Sequence, residues 1–153
     1  MRSSTTIHAS AVLVGARAVL IRGPSGAGKS QLALDLIEAA GAGRLRFARL
    51  VGDDRVHLER AGGRILVRAA EPITGLIEVR GVGLKRLPYE PCAVVGLIVD
   101  LAAADAARLP ENNITALQGI EIPRLAVAPG NAPLPGLLAL LTSAPTTFAP
   151  AER

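Results

Sequence analysis

Apolar residues in the first part of the chain occur in short runs that are separated by glycines and charged residues. One run, residues 18–22, leads into a glycine-rich loop, and its length predicts a buried strand. From Lys29 onward the apolar residues change to helical spacing, with Leu32 and Leu36 on one face and Gly41 as the expected stop. This part of the sequence therefore predicts a strand, a glycine-rich loop and a helix, in that order.

Later segments predict more strands than helices. The sequence Ala61-Gly62-Gly63-Arg64 is typical of a hairpin turn between two strands. Helices are expected over residues 102–109 and 134–141. We predict an α/β fold in which a mixed β-sheet is flanked by helices, formed as a single domain over residues 1–153. The expected strands are residues 47–51, 55–59, 65–67, 76–79, 93–99 and 122–127.

The composition fits a protein with a buried core and argues against a membrane protein. Half of the residues are apolar, but prolines and glycines interrupt the uncharged stretch 125–151, so no membrane-spanning helix is expected. The N-terminus lacks the apolar segment of a signal peptide. Cys92 is the one cysteine of the sequence and has no partner for an internal disulfide. We therefore expect a cytoplasmic protein.

The positive charge does not by itself indicate a nucleic-acid partner. The net charge is +4 and the sequence pI is about 10.2, but the basic residues are scattered along the chain and the sequence has three aromatic residues in all. A stacking platform for bases needs more than that. Fifteen of the seventeen basic residues are arginine. The presence of one of the two lysines in the glycine-rich loop therefore favours a specific role for it.

The glycine-rich loop has the spacing of a phosphate-binding loop. Glycines allow consecutive backbone N–H groups to approach phosphate oxygens, and the helix that follows adds its positive end. In such a loop the lysine, here Lys29, reaches the β- and γ-phosphates, and the hydroxyl of Ser30 binds Mg²⁺. We therefore expect a nucleoside triphosphate to bind together with Mg²⁺. The expected binding residues are Gly23, Pro24, Ser25, Gly26, Ala27, Gly28, Lys29 and Ser30.

Acidic residues at the ends of predicted strands are candidates for the chemistry of phosphoryl transfer. Asp53 and Asp54 form a tandem pair that suits a division of labour, one carboxylate for a metal and one for a proton. The same Gly-Asp-Asp sequence is also typical of a turn. Glu78 is a further acidic candidate within a predicted strand. Asp100 has the pattern of a second Mg²⁺ carboxylate, but we favour a helix cap ahead of Ala102.

Several motifs occur together in a fixed order. They are Ile7-His8, the glycine-rich loop followed by Gln31-Leu-Ala-Leu34, Leu50-Val-Gly-Asp-Asp54 and Ile77-Glu-Val-Arg-Gly-Val-Gly83, with a weaker match at Gly119-Ile-Glu-Ile-Pro123 and Pro129-Gly-Asn131. In this order they resemble the catalytic domain of HPr kinase/phosphorylase, a bacterial enzyme that phosphorylates a serine of the phosphocarrier protein HPr. The resemblance extends from residue 5 to about residue 142 and is to short members without the family's N-terminal domain.

The resemblance implies an ATP-dependent serine kinase that uses Mg²⁺, acts on HPr or an HPr-like protein, regulates a phosphotransferase system and assembles as a hexamer. It also implies a reverse reaction in which inorganic phosphate attacks phosphoserine and pyrophosphate leaves. By the same resemblance, Asp53 takes the proton of the serine hydroxyl, with His8 beside it. The other implied site residues are Ser30, Asp54 and Glu78 for the metal or its waters, Arg80 for the phosphate or the acidic cluster, and Arg108 as the arginine of the loop after Asp100.

Two other functions remain open from the sequence. A phosphate-loop kinase for a small molecule would be of similar size, although the motif around Glu78 argues against it. A regulator that senses ATP without transferring phosphate is kept open by Pro129-Gly-Asn131, where the family usually has an arginine before the asparagine. A common GTPase and a transporter ATPase are excluded, because the sequence has neither an Asn-Lys-x-Asp nor a Leu-Ser-Gly-Gly-Gln motif.

Overall fold

A computed structural model of the chain describes residues 4–71, 73–106 and 113–142. In this part of the chain it has a large mixed β-sheet, a separate two-stranded hairpin and two helices. The elements are, in order, β1 (Ser4–Ile7), β2 (Ser10–Val14), β3 (Arg17–Arg22), α1 (Lys29–Gly41), β4 (Ala48–Gly52), β5 (Val56–Ala61), β6 (Arg64–Ala69), β7 (Leu76–Val79), β8 (Gly83–Arg86), β9 (Ala93–Asp100), β10 (Ile114–Leu117), β11 (Ile120–Ala126) and α2 (Leu134–Thr142).

The strand that leads into the glycine-rich loop, β3, lies inside the sheet. It pairs antiparallel with β2 on one side and parallel with β9 on the other. The main path of the sheet is β1-β5-β6-β9-β3-β2-β4, and β11 also joins β9, in parallel, with β10 antiparallel to β11. Because both edges of β3 are hydrogen-bonded, the loop starts from a fixed position in the molecule.

Alternate residues of β3 enter two different hydrophobic cores, one on each face of the sheet. Val19 and Ile21 belong to a cluster with Leu32 and Leu36 of α1 and Leu137 of α2. The cluster on the other face is built from strands, β5 and β6 among them, and includes no helical residue within the described chain. The predicted α/β fold with a mixed sheet is confirmed. Both described helices pack on the first of these cores, the helix-side core, and strands of the continuing sheet cover the other.

Both helices predicted next to the loop and near the C-terminus are confirmed. α1 begins at Lys29 and its last residue is Gly41, as the pattern predicted. The left-handed residue that ends this segment is Gly43, with φ of 82°, and its N–H donates to the carbonyl of Ala40 at 3.1 Å. No helix of the described residues is long and apolar enough to cross a bilayer.

The helix expected over residues 102–109 is wrong in its described part. Residues 101–106 form turns and bends, and residues 107–109 lie outside the described chain. Ala102 has a left-handed φ of 53°, which is incompatible with a right-handed helix at the first residue of the expected segment. The N–H of Ala103 donates to the carbonyl of Val127, just after β11, at 2.8 Å, and the N–H of Ala106 donates back to the carbonyl of Ala103 at 3.3 Å, so the segment forms a turn that is bound to the end of β11.

The hairpin formed by β7 and β8 pairs with no other strand of the described chain. Its anchor is Ile77, which is fully buried in the helix-side core. At its base Gly75 has φ of 79°, and a Cβ there would lie 3.0 Å from the ring of Tyr89. Towards its end Val82 and Leu84 are about 70% exposed. The hairpin is therefore fixed at its base and open to solvent at its tip.

Gly52 fills a position where a side chain does not fit. A Cβ there would lie 2.8 Å from Cγ1 of Val56 and 3.0 Å from Cα of Ala69. We expect Gly52→Ala to lower the free energy of unfolding by about 1–3 kcal/mol, because the strands must move apart. Gly41→Ala is the matched control, since nothing lies within 4 Å of its Cβ position, and it should be neutral or stabilising. Chemical denaturation of both variants measures the difference, and equal stability would contradict the close packing.

Candidate functional site

The glycine-rich loop, residues 23–30, joins β3 to α1 and uses few of its own backbone groups. Gly26 and Gly28 have φ of 83° and 100°, in the left-handed region that favours glycine. The N–H of Ala27 donates to the carbonyl of Pro24 at 3.0 Å. Within the described residues, the N–H groups of Gly26 and Gly28 donate to no protein acceptor. Free N–H groups at the N-terminal end of a helix are suited to bind an anion.

Lys29 lies over this loop. Its Nζ donates to the carbonyl oxygens of Gly23 at 2.9 Å and Pro24 at 3.2 Å. A Cβ on Gly23 would lie 3.0 Å from Cβ of Leu101, so the start of the loop packs closely on the turn after β9. The ammonium group has three donors. It can therefore bind the loop carbonyls, as it does here, and turn to a phosphate when one is bound.

Asp53 is the buried acid of the site, with 4% of its surface exposed. Its Oδ1 accepts hydrogen bonds from the hydroxyls of Ser10 and Ser30, each at 2.7 Å. Its Oδ2 accepts the backbone N–H of Glu78 at 3.3 Å. One carboxylate thus connects the start of α1, the first part of β2 and the β7–β8 hairpin, so the tandem Asp-Asp motif is more than a surface turn.

Strand register explains why these distant residues meet. β2 and β4 pair antiparallel with Ala11 opposite Gly52, so Ser10 and Asp53 are the next residues on each strand. The register shifts between Ala11 and Val12, which leaves Val51 as an extra residue in β4. A bulge of this kind turns the bulged strand and redirects the side chains that follow. As a result, the carboxylate of Asp53, the residue after β4, points towards the loop.

Asp54 and Arg80 face solvent, and so does the side chain of Glu78. Asp54 has a left-handed φ of 71°, which is uncommon for a residue with a side chain. The left-handed turn separates the direction of its side chain from that of Asp53. Both exposed acids are near the buried one: Asp54 follows it in the chain, and the backbone N–H of Glu78 donates to its Oδ2. The three predicted acids are therefore brought together at one edge of the loop.

The other predicted site residues are placed differently. His8 is exposed and lies between β1 and β2, and in the described part of the chain its ring forms no hydrogen bond. The position next to Asp53 is taken by Ser10, which the sequence did not single out. The one sequence feature that could have indicated Ser10 is a serine at the start of an otherwise apolar strand. Its contact with Asp53, however, depends on the pairing of β2 with β4. Arg108 lies outside the described residues.

Asp100 is not a helix cap, which corrects our expectation. It ends β9 and accepts hydrogen bonds from Nε and Nη2 of Arg22 at 2.7 and 2.8 Å. Arg124 of β11 donates to the same carboxylate and also forms a bidentate pair with Asp105 at 2.9 and 3.0 Å. With two guanidinium groups on one carboxylate, Asp100 is a structural anchor between β3, β9 and β11 and is not free to bind a metal.

The charges of this cluster change the acidity of Asp100. Burial raises the pKa of its carboxyl, but the hydrogen bonds and positive charges of Arg22 and Arg124 outweigh burial and hold the pKa below its usual value. The pKa of Asp105 is also lowered, chiefly by its hydrogen bonds from Arg124. Both carboxylates are therefore ionised over the whole physiological range, and the cluster stays intact there.

The donor atoms near the loop fit a metal ion that arrives with phosphates. Within the described residues, no group of three or more His, Cys, Asp or Glu side chains could hold a metal by itself. The hydroxyl of Ser30 and the carboxylate of Asp53 are already in contact, and Asp54 is the next residue. Mg²⁺ at nucleotide sites uses one or two carboxylates and completes its shell with phosphates and water. Mg²⁺ bound to a nucleotide therefore fits this donor set.

A family model described as the HPr Serine kinase C-terminal domain matches residues 1–89. The chain belongs to this family. The matched residues include the glycine-rich loop, both aspartates of the tandem pair and the Glu78–Arg80 motif, which are the parts that the fold brings together. The family was therefore identified correctly from the order of the sequence motifs.

Curated relatives extend the similarity beyond the matched residues. The HPr kinase/phosphorylase of Halalkalibacterium halodurans is 31% identical over 137 residues, which cover 81% of this chain and 42% of that protein. The enzymes of the same name from Brevibacillus brevis and Clostridium beijerinckii are 42% and 39% identical over 82 and 80 residues. The chain spans 24% of the length of each of these two proteins.

A solved structure confirms the fold. The Hpr(Ser) kinase/phosphatase from Coxiella burnetii matches with a TM-score of 0.70 and 24% sequence identity, and the match covers 90% of this chain and 87% of that chain. The shared fold is an α/β fold with a mixed sheet and few helices. At this identity the likeness speaks for the fold and not for the chemistry.

Lys29→Ala tests the loop. We expect the affinity for ATP to fall by about 10- to 100-fold, because a hydrogen bond to a charged group contributes about 1.5–3 kcal/mol. The melting temperature should change little, since Lys29 is only partly buried and contacts the loop alone. Lys85→Ala, at the other lysine of the sequence, is the control and should bind ATP as the parent does. Calorimetric titration measures both, and unchanged binding by Lys29→Ala would refute the role of the loop.

Asp100→Asn tests the arginine cluster through its pH dependence. Because the pKa of Asp100 is lowered in the folded protein, its contribution is fully present above the unfolded pKa and is lost as the pH falls through the folded pKa. We expect the variant to be less stable by about 1–3 kcal/mol at pH 7. The difference should shrink below about pH 4, where Asp100 of the unfolded parent begins to bind a proton, and disappear as the pH falls through the lowered pKa of the folded protein. Urea unfolding at several pH values measures this, and a constant difference would contradict the ionic role.

Proposed function

We propose that this domain binds Mg²⁺-ATP and transfers the γ-phosphoryl group to a serine of HPr or an HPr-like protein. The observation that carries the proposal is the contact between Ser30 and Asp53 at 2.7 Å. It joins the start of the helix behind the loop to a buried acid at the end of a strand. Family membership and the motif order support the choice of a protein serine as acceptor.

In this proposal residues 23–30 form a phosphate loop of the Walker A type. The unused N–H groups of the loop and the positive end of α1 bind the β- and γ-phosphates. Lys29 leaves the carbonyls of Gly23 and Pro24 and donates to the phosphates instead. Phosphate binding therefore needs only the movement of the Lys29 side chain, because Gly26 and Gly28 already have the backbone conformation that exposes the loop amides.

Ser30, Asp54 and Glu78 are the residues that we assign to Mg²⁺ or its waters, and the backbone N–H of Glu78 is bound to Asp53. When bound, Mg²⁺ supplies positive charge that neutralises the β- and γ-phosphates. Ser30 can offer its oxygen to the metal and still donate its proton to Asp53, because a hydroxyl has one donor and two acceptor sites. The exposed position of Asp54 leaves its carboxylate free to take part.

We assign the proton transfer to Asp53. Its Oδ1 already accepts two hydroxyls, whereas Oδ2 accepts one long N–H bond and retains room for another proton donor. The serine hydroxyl of the acceptor would give its proton to Oδ2 as its oxygen forms the bond to the γ-phosphorus. The bond between that phosphorus and the β–γ bridging oxygen breaks, and ADP leaves. Arg80 is available on the exposed hairpin to stabilise the transferred group. His8 is kept as a proposed catalytic residue on the family resemblance, although Ser10 takes the position next to Asp53 in this structure.

The same site is proposed to run the reverse reaction with inorganic phosphate. An oxygen of the phosphate then bonds to the phosphorus of phosphoserine, the bond to the serine oxygen breaks, and pyrophosphate leaves. The proton that Asp53 holds goes to the serine oxygen. A residue that can accept a proton in one direction donates it in the other, so no further group is required.

The proposal extends to the cellular role. We propose that the protein is cytoplasmic, assembles as a homo-hexamer and regulates a phosphotransferase system, as the family resemblance implies. The exposed end of the β7–β8 hairpin and the position of the acids at one open edge leave room for a protein acceptor. A nucleic-acid partner is not part of the proposal, because the basic residues are scattered along the sequence.

Replacing the two aspartates separately tests the assigned roles. Asp53→Asn keeps the shape of the side chain but loses the proton acceptor, so we expect forward transfer and phosphorolysis to fall by about 10²–10⁴-fold. The affinity for ATP should change much less. Asp54→Asn should weaken the metal site, so that a higher Mg²⁺ concentration partly restores the rate. Asp35→Asn on α1, where the carboxylate contacts only Gln31, controls for the loss of one negative charge.

The measurement is phosphate transfer from radiolabelled ATP to the HPr-like protein of the same organism, over a range of Mg²⁺ concentrations. If Mg²⁺ rescues Asp53→Asn and not Asp54→Asn, the two roles are exchanged. If the parent binds ATP and transfers phosphate to no protein, the domain is an ATP-sensing regulator or acts on a small molecule, and the proposal is wrong.

A further inference from the structure

Ser10 makes contacts that none of the sequence motifs explains. It is fully buried at the start of β2. Its hydroxyl donates to Oδ1 of Asp53 at 2.7 Å, and its Oγ accepts the backbone N–H of Asp54 at 3.4 Å. A single side chain therefore touches both members of the tandem pair, the carboxylate of one and the backbone of the next.

The bond to Asp53 sets the orientation of its carboxylate. Ser10 and Ser30 approach the same oxygen, Oδ1, from two different elements, β2 and α1. Two donors on one oxygen fix the rotation of the carboxylate about its own axis and leave Oδ2 as the less occupied oxygen. Ser30 also belongs to the loop, where its hydroxyl is assigned to Mg²⁺. Ser10 belongs to a strand that is paired on both sides, so its position does not depend on the loop.

The contact with Asp54 acts on the backbone. A left-handed φ, here 71°, is strained for a residue with a side chain and persists where neighbouring contacts hold it. The acceptor Oγ of Ser10 is one such contact, and the N–H of Arg55 adds another by donating to the carbonyl of Asp53 at 2.8 Å. The bulge in β4 directs Asp53 inward, and this turn then directs Asp54 outward.

We propose that Ser10 is a positioning residue of the site. Its hydroxyl holds Asp53 towards the loop and supports the turn that presents Asp54 to solvent, so that the two carboxylates keep separate tasks while Ser30 engages the nucleotide. The inference rests on the proposed function for its rate measurement. It also predicts a change in the Mg²⁺ dependence of nucleotide binding, and this measurement needs no acceptor protein.

The test is Ser10→Ala, compared with the parent at saturating acceptor protein. We expect kcat for transfer to fall by about 10- to 100-fold, the range seen when a residue that orients a site group is removed. The affinity for ATP at saturating Mg²⁺ should change less than about twofold, because the phosphate loop is untouched. The Mg²⁺ concentration that half-saturates nucleotide binding should rise by about tenfold, because Asp54 is held less firmly.

Val12→Ala is the matched control on the same strand. Val12 is also fully buried, but it lies in the helix-side core and its apolar side chain cannot hydrogen-bond to either aspartate. Its loss should lower the melting temperature at least as much as Ser10→Ala does, with kcat and the Mg²⁺ dependence unchanged. Ser10→Cys keeps the size of the side chain with a weaker donor and should give values between those of the parent and Ser10→Ala, even where the alanine variant is poorly folded.

Three outcomes would overturn the inference. One is a parental kcat and Mg²⁺ dependence in folded Ser10→Ala or Ser10→Cys. Another is a loss of kcat in Val12→Ala as large as that in Ser10→Ala, which would reduce Ser10 to a stabilising residue. The third is an equal loss of ATP affinity and kcat. A parent that binds Mg²⁺-ATP and transfers no phosphate contradicts the proposed function instead, and the Mg²⁺ titration of nucleotide binding then decides the role of Ser10.

Discussion

The hydrogen bonds that meet on the Asp53 carboxylate connect the separate parts of this domain into one site. An acid with 4% of its surface exposed needs partners for its oxygens, and here they come from three elements that are far apart in the chain. Ser30 ties the acid to the phosphate loop, Ser10 ties it to the sheet, and the backbone of Glu78 ties it to the hairpin. Loop, sheet and hairpin therefore keep a fixed spacing because one buried carboxylate requires all of them.

The sheet determines which acid takes this position. The strand beside β3 in parallel, β9, ends in Asp100 at the same height as the loop, but two arginines occupy that carboxylate. The acid near Ser30 is supplied from the antiparallel side, through β2 and β4. The two sides of β3 thus divide the work. On the parallel side, the ion pairs of Asp100 hold the strand ends together. On the antiparallel side, β2 and β4 place the carboxylate of Asp53 next to the loop.

Local sequence was sufficient for the parts that depend on local structure. The strand, loop and helix over residues 17–41 follow from apolar spacing and glycines, and the position of Asp53 at a strand end follows from Leu50-Val-Gly. The contact of Ser10 with Asp53 did not follow, because antiparallel pairing between β2 and β4 across some forty residues leaves no local pattern. The short exposed strands β1 and β8 carry little apolar signal, and β10 has only four residues. The helix expected after Asp100 failed because Ala102 is left-handed and long-range backbone bonds with Val127 hold the segment in a turn.

The bulge at Val51 limits how this chain can change in length. Side chains of a strand alternate between the two faces of a sheet, so removal or addition of one residue between Leu50 and Asp53 would exchange the faces of everything that follows. Asp53 would then point away from the loop, and Asp54 would point into the packed strands. Insertions and deletions should therefore be absent from this short stretch in functional relatives, while the turn between β5 and β6, which touches none of these groups, is free to vary in length.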